Sequence, residues 1–430
     1  MLKNLMAQYK FVQIENPETC PIEVLEKEVE RLKNLGDFYE TKQLALKKFI
    51  NSVYGATASK YFIAHNTAVA ESITLQGQDL NHYSENAVNA YFQGIFQADT
   101  ELHKKLGITT EAAQAVSIAK GKTTETGLLE GDEFSYLEGN QSLTVAGDTD
   151  SIYVEFGRIT NQLGIPEDQA AQFVVNLWNW GCGPYMKQKY EEYAKKYNCD
   201  RNIQELELEK IADTTILTSK KHYAMAECFK EPNIFLKPME EVVYKGLEIV
   251  QGSTPPFARE CQKDFTRYVL EWFQTHKERM PYEDIISRIK QYKQEFLLKA
   301  PDEISKGSSI GDYNKFILDD KNKFDTGPHC PIQVKASGIA NYILNQPKNK
   351  KYKVKYNPIK TADKVKWYYT KDLVYDCFAF LPGAFPIEYA PAIDYDKQFE
   401  KMVLEPCNRI IAILGYTTLT SNLCYTAALW

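Results

Sequence analysis

No run of about 18 consecutive apolar residues occurs in this 430-residue chain, so the sequence offers no membrane-spanning helix. Met1-Leu2-Lys3-Asn4 does not lead into the apolar core of a secretory signal. Nine cysteines lie far apart and none forms a Cys-x-x-Cys pair. That spacing argues against a zinc site or a disulfide framework and for a reducing cytoplasm. No strong charge of either sign is present: the net charge is −6 with 25% charged residues. A nucleic-acid binder with this balance must concentrate its positive charge locally. At 44% apolar the composition is that of an ordinary globular protein, and the length suits two or three domains. No internal repeat stands out.

What is present centres on Val145-Ala146-Gly147-Asp148-Thr149-Asp150-Ser151-Ile152-Tyr153-Val154. Two carboxylates, Asp148 and Asp150, stand two residues apart in a turn between short β-rich runs. Alternation along a strand lets both project together from a hairpin tip. Such a pair suits Mg²⁺, which is usually held by one or two carboxylates plus substrate phosphates and water. Taken alone, the same stretch reads equally well as a polar surface turn.

Upstream, residues 21–36 read as a helix started by Pro21 and stopped by Gly36. A second helix is expected from about Asp37 to Tyr54, packed antiparallel to the first. Leu46, Phe49, Ile50 and Val53 form its apolar stripe, while Lys47, Asn51 and Tyr54 share another before Gly55 interrupts it. A helix lining a polyphosphate site would need this cation, amide and ring; spacing alone favours a solvated face.

Residues 59–104 read as mostly helical and 106–142 as a loop-rich insertion. Helix returns over 166–198, broken at Gly181-Cys182-Gly183-Pro184, followed by strands near 214–217 and 222–226. Lys220-Lys221-His222-Tyr223 sits between those strands and offers two cations and a phenol, types that suit phosphate contacts. Alone, it is equally an exposed basic turn. Helices are expected at 257–278, 282–299, about 333–346 and 397–414. Between the last two, residues 341–372 hold nine lysines against Asp363 and Asp372. This run fits either phosphate attraction or an exposed sheet kept soluble by lysine.

In order, these stretches resemble the family-B DNA polymerases, most of all those of T-even-type bacteriophages. Lys47, Asn51-Ser52-Val53-Tyr54-Gly55 match the fingers motif, and Gly147-Asp148-Thr149-Asp150-Ser151 the palm carboxylate motif. Lys220-Lys221-His222-Tyr223 resembles the KKRY-type motif with His222 in place of Arg, and Lys245-Gly246-Leu247-Glu248 to Ser253-Thr254-Pro255 the start of the thumb. The resemblance implies an α+β right-hand architecture: an incomplete palm sheet flanked by helices, a helical fingers hairpin and a mainly helical thumb. The corresponding domains are 1–58 (fingers, second part), 59–246 (palm, with the insertion at about 106–142), 247–422 (thumb) and 423–430 (tail).

For individual positions, the resemblance implies that Lys47 contacts the triphosphate of an incoming dNTP, with Asn51 beside it and Tyr54 at the nascent base pair. Asp150 would be the principal ligand of a two-ion Mg²⁺ centre (Mn²⁺ as alternative), with Asp148 its weaker partner. Lys220, Lys221, Tyr223 and Gly55 would hold primer–template DNA. The family's further palm carboxylate, its first fingers helix and its exonuclease would lie upstream, and this sequence lacks them. The expectation is therefore a split enzyme, active only with an N-terminal chain supplying those parts, in the cytoplasm of an infected bacterial host; a fragment of a longer polymerase is the other explanation. The apolar end, with Leu429 and Trp430, resembles a sliding-clamp-binding tail or folds back on the thumb. A non-catalytic DNA-binding or processivity subunit is the alternative.

Overall fold

The computed structural model describes residues 14, 19–116, 142–148, 151–231, 233–320 and 323–421. It divides into two compact units, Met1–Tyr83 and Ser84–Trp430.

The first unit is built on one helix. α1 (Ile22–Ala58) runs for 37 residues without interruption, roughly 55 Å at 1.5 Å per residue. The expected stop at Gly36 and interruption at Gly55 are therefore corrected: both glycines lie inside the helix. A mid-helix glycine costs only about 1 kcal/mol, and a Cβ built at either would meet nothing within 4 Å. Strong helix formers on both sides of Gly36, including Leu32, Lys33, Lys42 and Leu44, outweigh that cost. No residue of α1 is buried. The expected antiparallel packing of 21–36 against 37–54 is corrected as well, since both lie in this one helix. After α1 the chain turns, with Asn66 N–H donating to Thr57 O at 3.0 Å, and α2 (Thr67–Ala90) begins. The hydroxyls of Tyr54 and Thr74 lie 2.9 Å apart, so the end of α1 runs beside α2.

The second unit begins with the last turns of α2. A π-turn (Tyr91–Ile95) places Tyr91, Phe92 and Phe96 in an aromatic cluster. α3 (Thr100–Leu106) follows, capped by Asp99, whose Oδ1 accepts from Leu102 N–H at 2.9 Å. A short helix at Thr110–Ala115 occupies the start of the expected insertion; residues 117–141 lie outside the described residues. β1 (Thr144–Asp148) and β2 (Ser151–Val154) pair antiparallel, with Asp148 opposite Ser151.

α4 (Glu167–Leu177) continues through a π-turn (Trp178–Cys182) into α5 (Gly183–Lys196), so the break expected at 181–184 is a wide turn instead. Pro184 explains it: proline lacks an N–H and clashes with the carbonyl four residues back, and an i→i+5 turn makes room. The same device recurs at Glu400–Leu404 before Pro406.

β3 (Lys210–Ser219), β4 (His222–Lys230), β5 (Ile234–Phe235) and β6 (Glu241–Lys245) make a four-stranded sheet in which β4 is central. Among the described residues, β1 and β2 pair only with each other.

The remainder is α6 (Pro256–His276), α7 (Tyr282–Phe296), β7 (Lys306–Ser309), a small hairpin β8 (Ile317–Asp320) and β9 (Lys323–Thr326), α8 (Ile332–Asn345), β10 (Lys364–Tyr369), β11 (Cys377–Phe380) and α9 (Glu405–Ile413). The four helical regions expected here are present. Phe265, Phe296, Phe399, Val403 and Ile411 are fully buried in one core. The lysine-rich run differs from expectation. β10 is the middle strand of a β11–β10–β7 sheet, with Val365, Trp367 and Tyr368 at 1%, 4% and 0% exposure. It is a core strand, not an exposed sheet. Its lysines misled because the cations alternate with, rather than replace, the apolar side chains; Lys366 reaches Asp302 at 3.2 Å. Residues Lys350–Val354 form a short 3₁₀ turn where strand was expected.

Candidate functional site

The carboxylate hairpin is held at its base by two buried residues the sequence reading missed. Asn89, near the end of α2, accepts from Leu143 N–H at 2.7 Å and donates to Ser142 Oγ at 3.3 Å. Arg158, 1% exposed, donates from Nη2 to the Ser142 carbonyl and sets Nε 3.1 Å from Glu155 Oε2. Glu155 N–H in turn donates to Leu143 O at 2.8 Å. These contacts fix the point where the chain enters β1. No local periodicity marks Asn89, which lies 54 residues from Leu143.

At the other end, three sequence motifs meet. Lys220 and Lys221 form the two-residue turn between β3 and β4, with Ser219 opposite His222 and Lys221 at φ +65°. Lys221 Nζ lies 3.0 Å from Asp148 Oδ1. Tyr153 OH donates to Tyr223 OH at 2.8 Å, with the rings 5.5 Å apart at 66°. Burial, then the bond to Tyr223, pushes the Tyr153 phenol above its ordinary range. Gly246 lies under the same turn at φ +67°; a Cβ there would come within 2.2 Å of Lys221 O and 2.9 Å of the His222 ring. Only glycine allows that approach. His222 Nδ1 lies 2.9 Å from Lys220 O, so the ring braces its own turn.

Lys47, Asn51 and Tyr54 are exposed on α1 in the first unit. Among the described residues no side-chain bond ties Lys47 or Asn51, and Tyr54 meets Thr74. Asp150, Leu429 and Trp430 lie outside the described residues. Asp148 is one-third exposed and its Oδ1 is engaged by an ammonium group. Asp148 is the described member of the predicted carboxylate pair, and no group of three metal-capable side chains occurs among the described residues. The described donor set therefore does not by itself fit a metal centre.

A cavity of about 820 Å³ lies elsewhere in the second unit, lined by Trp178, Glu191, Glu205, Glu207, Phe229 and Glu231 among others. None of the sequence-predicted residues lines it. Burial, then the Glu207 and Glu209 carboxylates, push the Glu231 carboxyl above its ordinary range.

The chain is an α+β fold in which a carboxylate hairpin is braced by a basic turn and a glycine-led strand exit. It is related to the family-B DNA polymerases: residues 25–174 match the family model described as DNA polymerase family B. The chain is similar to the DNA-directed DNA polymerase of Enterobacteria phage T4, 22% identical over 331 residues, covering 74% of this chain and 31% of that protein. It is also similar to that of Escherichia phage RB69, 24% identical over 243 residues, covering 54% of this chain and 22% of that protein. The chain thus spans less than a third of the length of these relatives. No described helix is long and apolar enough to cross a membrane.

Proposed function

We propose that this chain is the C-terminal part of a DNA-directed DNA polymerase that works with a second chain during phage DNA replication in the bacterial cytoplasm. Its reaction would join the primer 3′-oxygen to the α-phosphorus of a dNTP and release pyrophosphate. The observation that carries this reading is the meeting of three family motifs: Lys221 on Asp148, Tyr223 on Tyr153, and Gly246 beneath Lys221. A chance match of short motifs in sequence gives no reason for them to touch in space.

In this reading Lys220, Lys221 and Tyr223 hold primer–template, with the lysines on phosphate and the phenol as a directional donor. Gly55 contacts the primer–template, Tyr54 packs at the nascent base pair, and Lys47 with Asn51 bind the dNTP. Lys47 is suited to this because its ammonium is exposed and uncommitted among the described residues. Phosphoryl transfer asks the protein mainly for such positioning and charge stabilisation. A Mg²⁺ or Mn²⁺ centre would need Asp150 and a further carboxylate beside Asp148. We assign that carboxylate, and the exonuclease, to the N-terminal chain. The outer edges of β1 and β2 are where its strand would add, since each lacks a second neighbour among the described residues. Leu429 and Trp430 are the residues proposed for a sliding clamp. Deleting residues 425–430 should abolish clamp-stimulated processivity and spare distributive synthesis; an unchanged clamp response disposes of that assignment.

A non-catalytic DNA-binding subunit is the second reading, favoured by the engagement of Asp148 with Lys221. Primer extension separates the two: catalysis by the mixed chains that is lost with Asp150→Ala supports the first reading, and DNA binding without extension in any mixture supports the second.

A further inference from the structure

Tyr153 is given no part in binding or chemistry above, yet with Asp148 it is a side chain through which the carboxylate hairpin reaches the DNA-binding turn and its strand. It stands on β2, while Tyr223 is the second residue of β4, 70 positions away. Both rings are partly buried. Tyr153 donates and Tyr223 accepts. A hydroxyl that accepts through its oxygen keeps its own hydrogen to give, and that hydrogen points away from its donor. Accepting a bond also polarises the hydroxyl and strengthens it as a donor. The edge-to-face ring contact fixes the plane in which the Tyr223 hydroxyl swings. The acceptors that DNA offers such a group are phosphate oxygens and, in the minor groove, purine N3 and pyrimidine O2.

We propose that Tyr153 is a positioning residue for primer–template, setting the direction in which the Tyr223 hydroxyl donates to an acceptor on the duplex. This rests on the reading of Tyr223 as a DNA contact. Were the pair only packing, ring area alone would matter, and removing the Tyr153 hydroxyl would leave DNA affinity unchanged.

The test is fluorescence-anisotropy titration of a labelled primer–template with the full chain, as wild type, Tyr153→Phe, Tyr223→Phe and the double variant. Each titration is repeated over a salt series, and melting curves confirm that each variant is folded. Tyr223→Phe removes one hydrogen bond and should weaken binding about three- to tenfold. Tyr153→Phe should lose a similar factor, and the double variant no more than Tyr223→Phe alone. The dependence of affinity on salt should stay as in wild type, because a neutral contact releases no counterions; a collapsed turn would lose its lysine contacts and flatten that dependence. Wild-type affinity in Tyr153→Phe beside weakened Tyr223→Phe, or losses that simply add, overturns this inference and leaves the DNA-binding reading intact. A wild-type chain that binds no duplex overturns that reading and this inference with it.

Discussion

Lys221 Nζ stands 3.0 Å from Asp148 Oδ1, joining the β3–β4 turn to the end of β1. Both side chains are substantially exposed, at 57% and 33%, so the pair contributes about 1 kcal/mol or less to folding. Its expected importance is therefore to binding. Lys221→Met should barely move the melting temperature, weaken primer–template binding, and lower the slope of log affinity against log salt by about one. A large loss of stability with an unchanged slope would make Lys221 a structural residue.

Gly246 tests whether the motifs truly depend on one another. Gly246→Ala forces a Cβ to within 2.2 Å of Lys221 O at a positive φ, which should cost roughly 1–3 kcal/mol in urea unfolding. DNA binding should weaken with it as the turn shifts. Gly252→Ala is the control, since its Cβ meets nothing within 4 Å; it should stay within about 0.5 kcal/mol of wild type. Equal effects at the two sites would mean that the close approach at Gly246 has no consequence.

The buried clamp at the hairpin base makes a separate prediction. Asn89→Ala leaves the buried Leu143 N–H without its acceptor, at a cost of about 1–3 kcal/mol. Arg158→Met strips a guanidinium at 1% exposure from the Ser142 carbonyl and should cost about 3 kcal/mol. In each variant the Leu143 amide should exchange with solvent faster than in wild type, which hydrogen-exchange mass spectrometry on the 142–155 peptide would detect. Unchanged protection of that peptide would contradict the clamp.

Glu388 supplies a pH signature. Lys355, then the Tyr356 hydroxyl, lower its carboxyl to about 2, with both contacts at 2.7 Å. A carboxyl lowered on folding contributes stability above its unfolded pKa of about 4.3, and loses it as pH falls toward the folded value. The melting-temperature gap between wild type and Glu388→Gln should therefore be full at pH 6 and narrow steadily below about pH 4. A gap that widens with acid would refute the pairing.

Much of the architecture was legible because it rests on local rules. The pairing of Thr144–Asp148 with Ser151–Val154, the Lys220-Lys221 turn and the helices from Pro256 onward follow strand alternation, turn chemistry and apolar stripes. Gly36 misled because a single unfavourable residue is outvoted by its helical neighbours. β10 was misjudged because lysine at alternate positions hides a strand that is buried on its other side chains. Asn89, Arg158 and Tyr153 were invisible as site residues: their partners are distant in the chain or are backbone groups, and neither leaves a pattern in sequence. The motif residues on α1 were legible only by resemblance, since their spacing fits a solvated face equally well.

The central claim, a polymerase site completed by a second chain, is tested most directly by primer extension. A labelled primer–template, dNTPs and Mg²⁺ would be incubated with this chain alone, a candidate N-terminal chain alone, and both together, with Asp150→Ala in parallel. Extension by the mixture only, abolished by Asp150→Ala, is the predicted result. Extension by this chain alone, or by a mixture carrying Asp150→Ala, would contradict it.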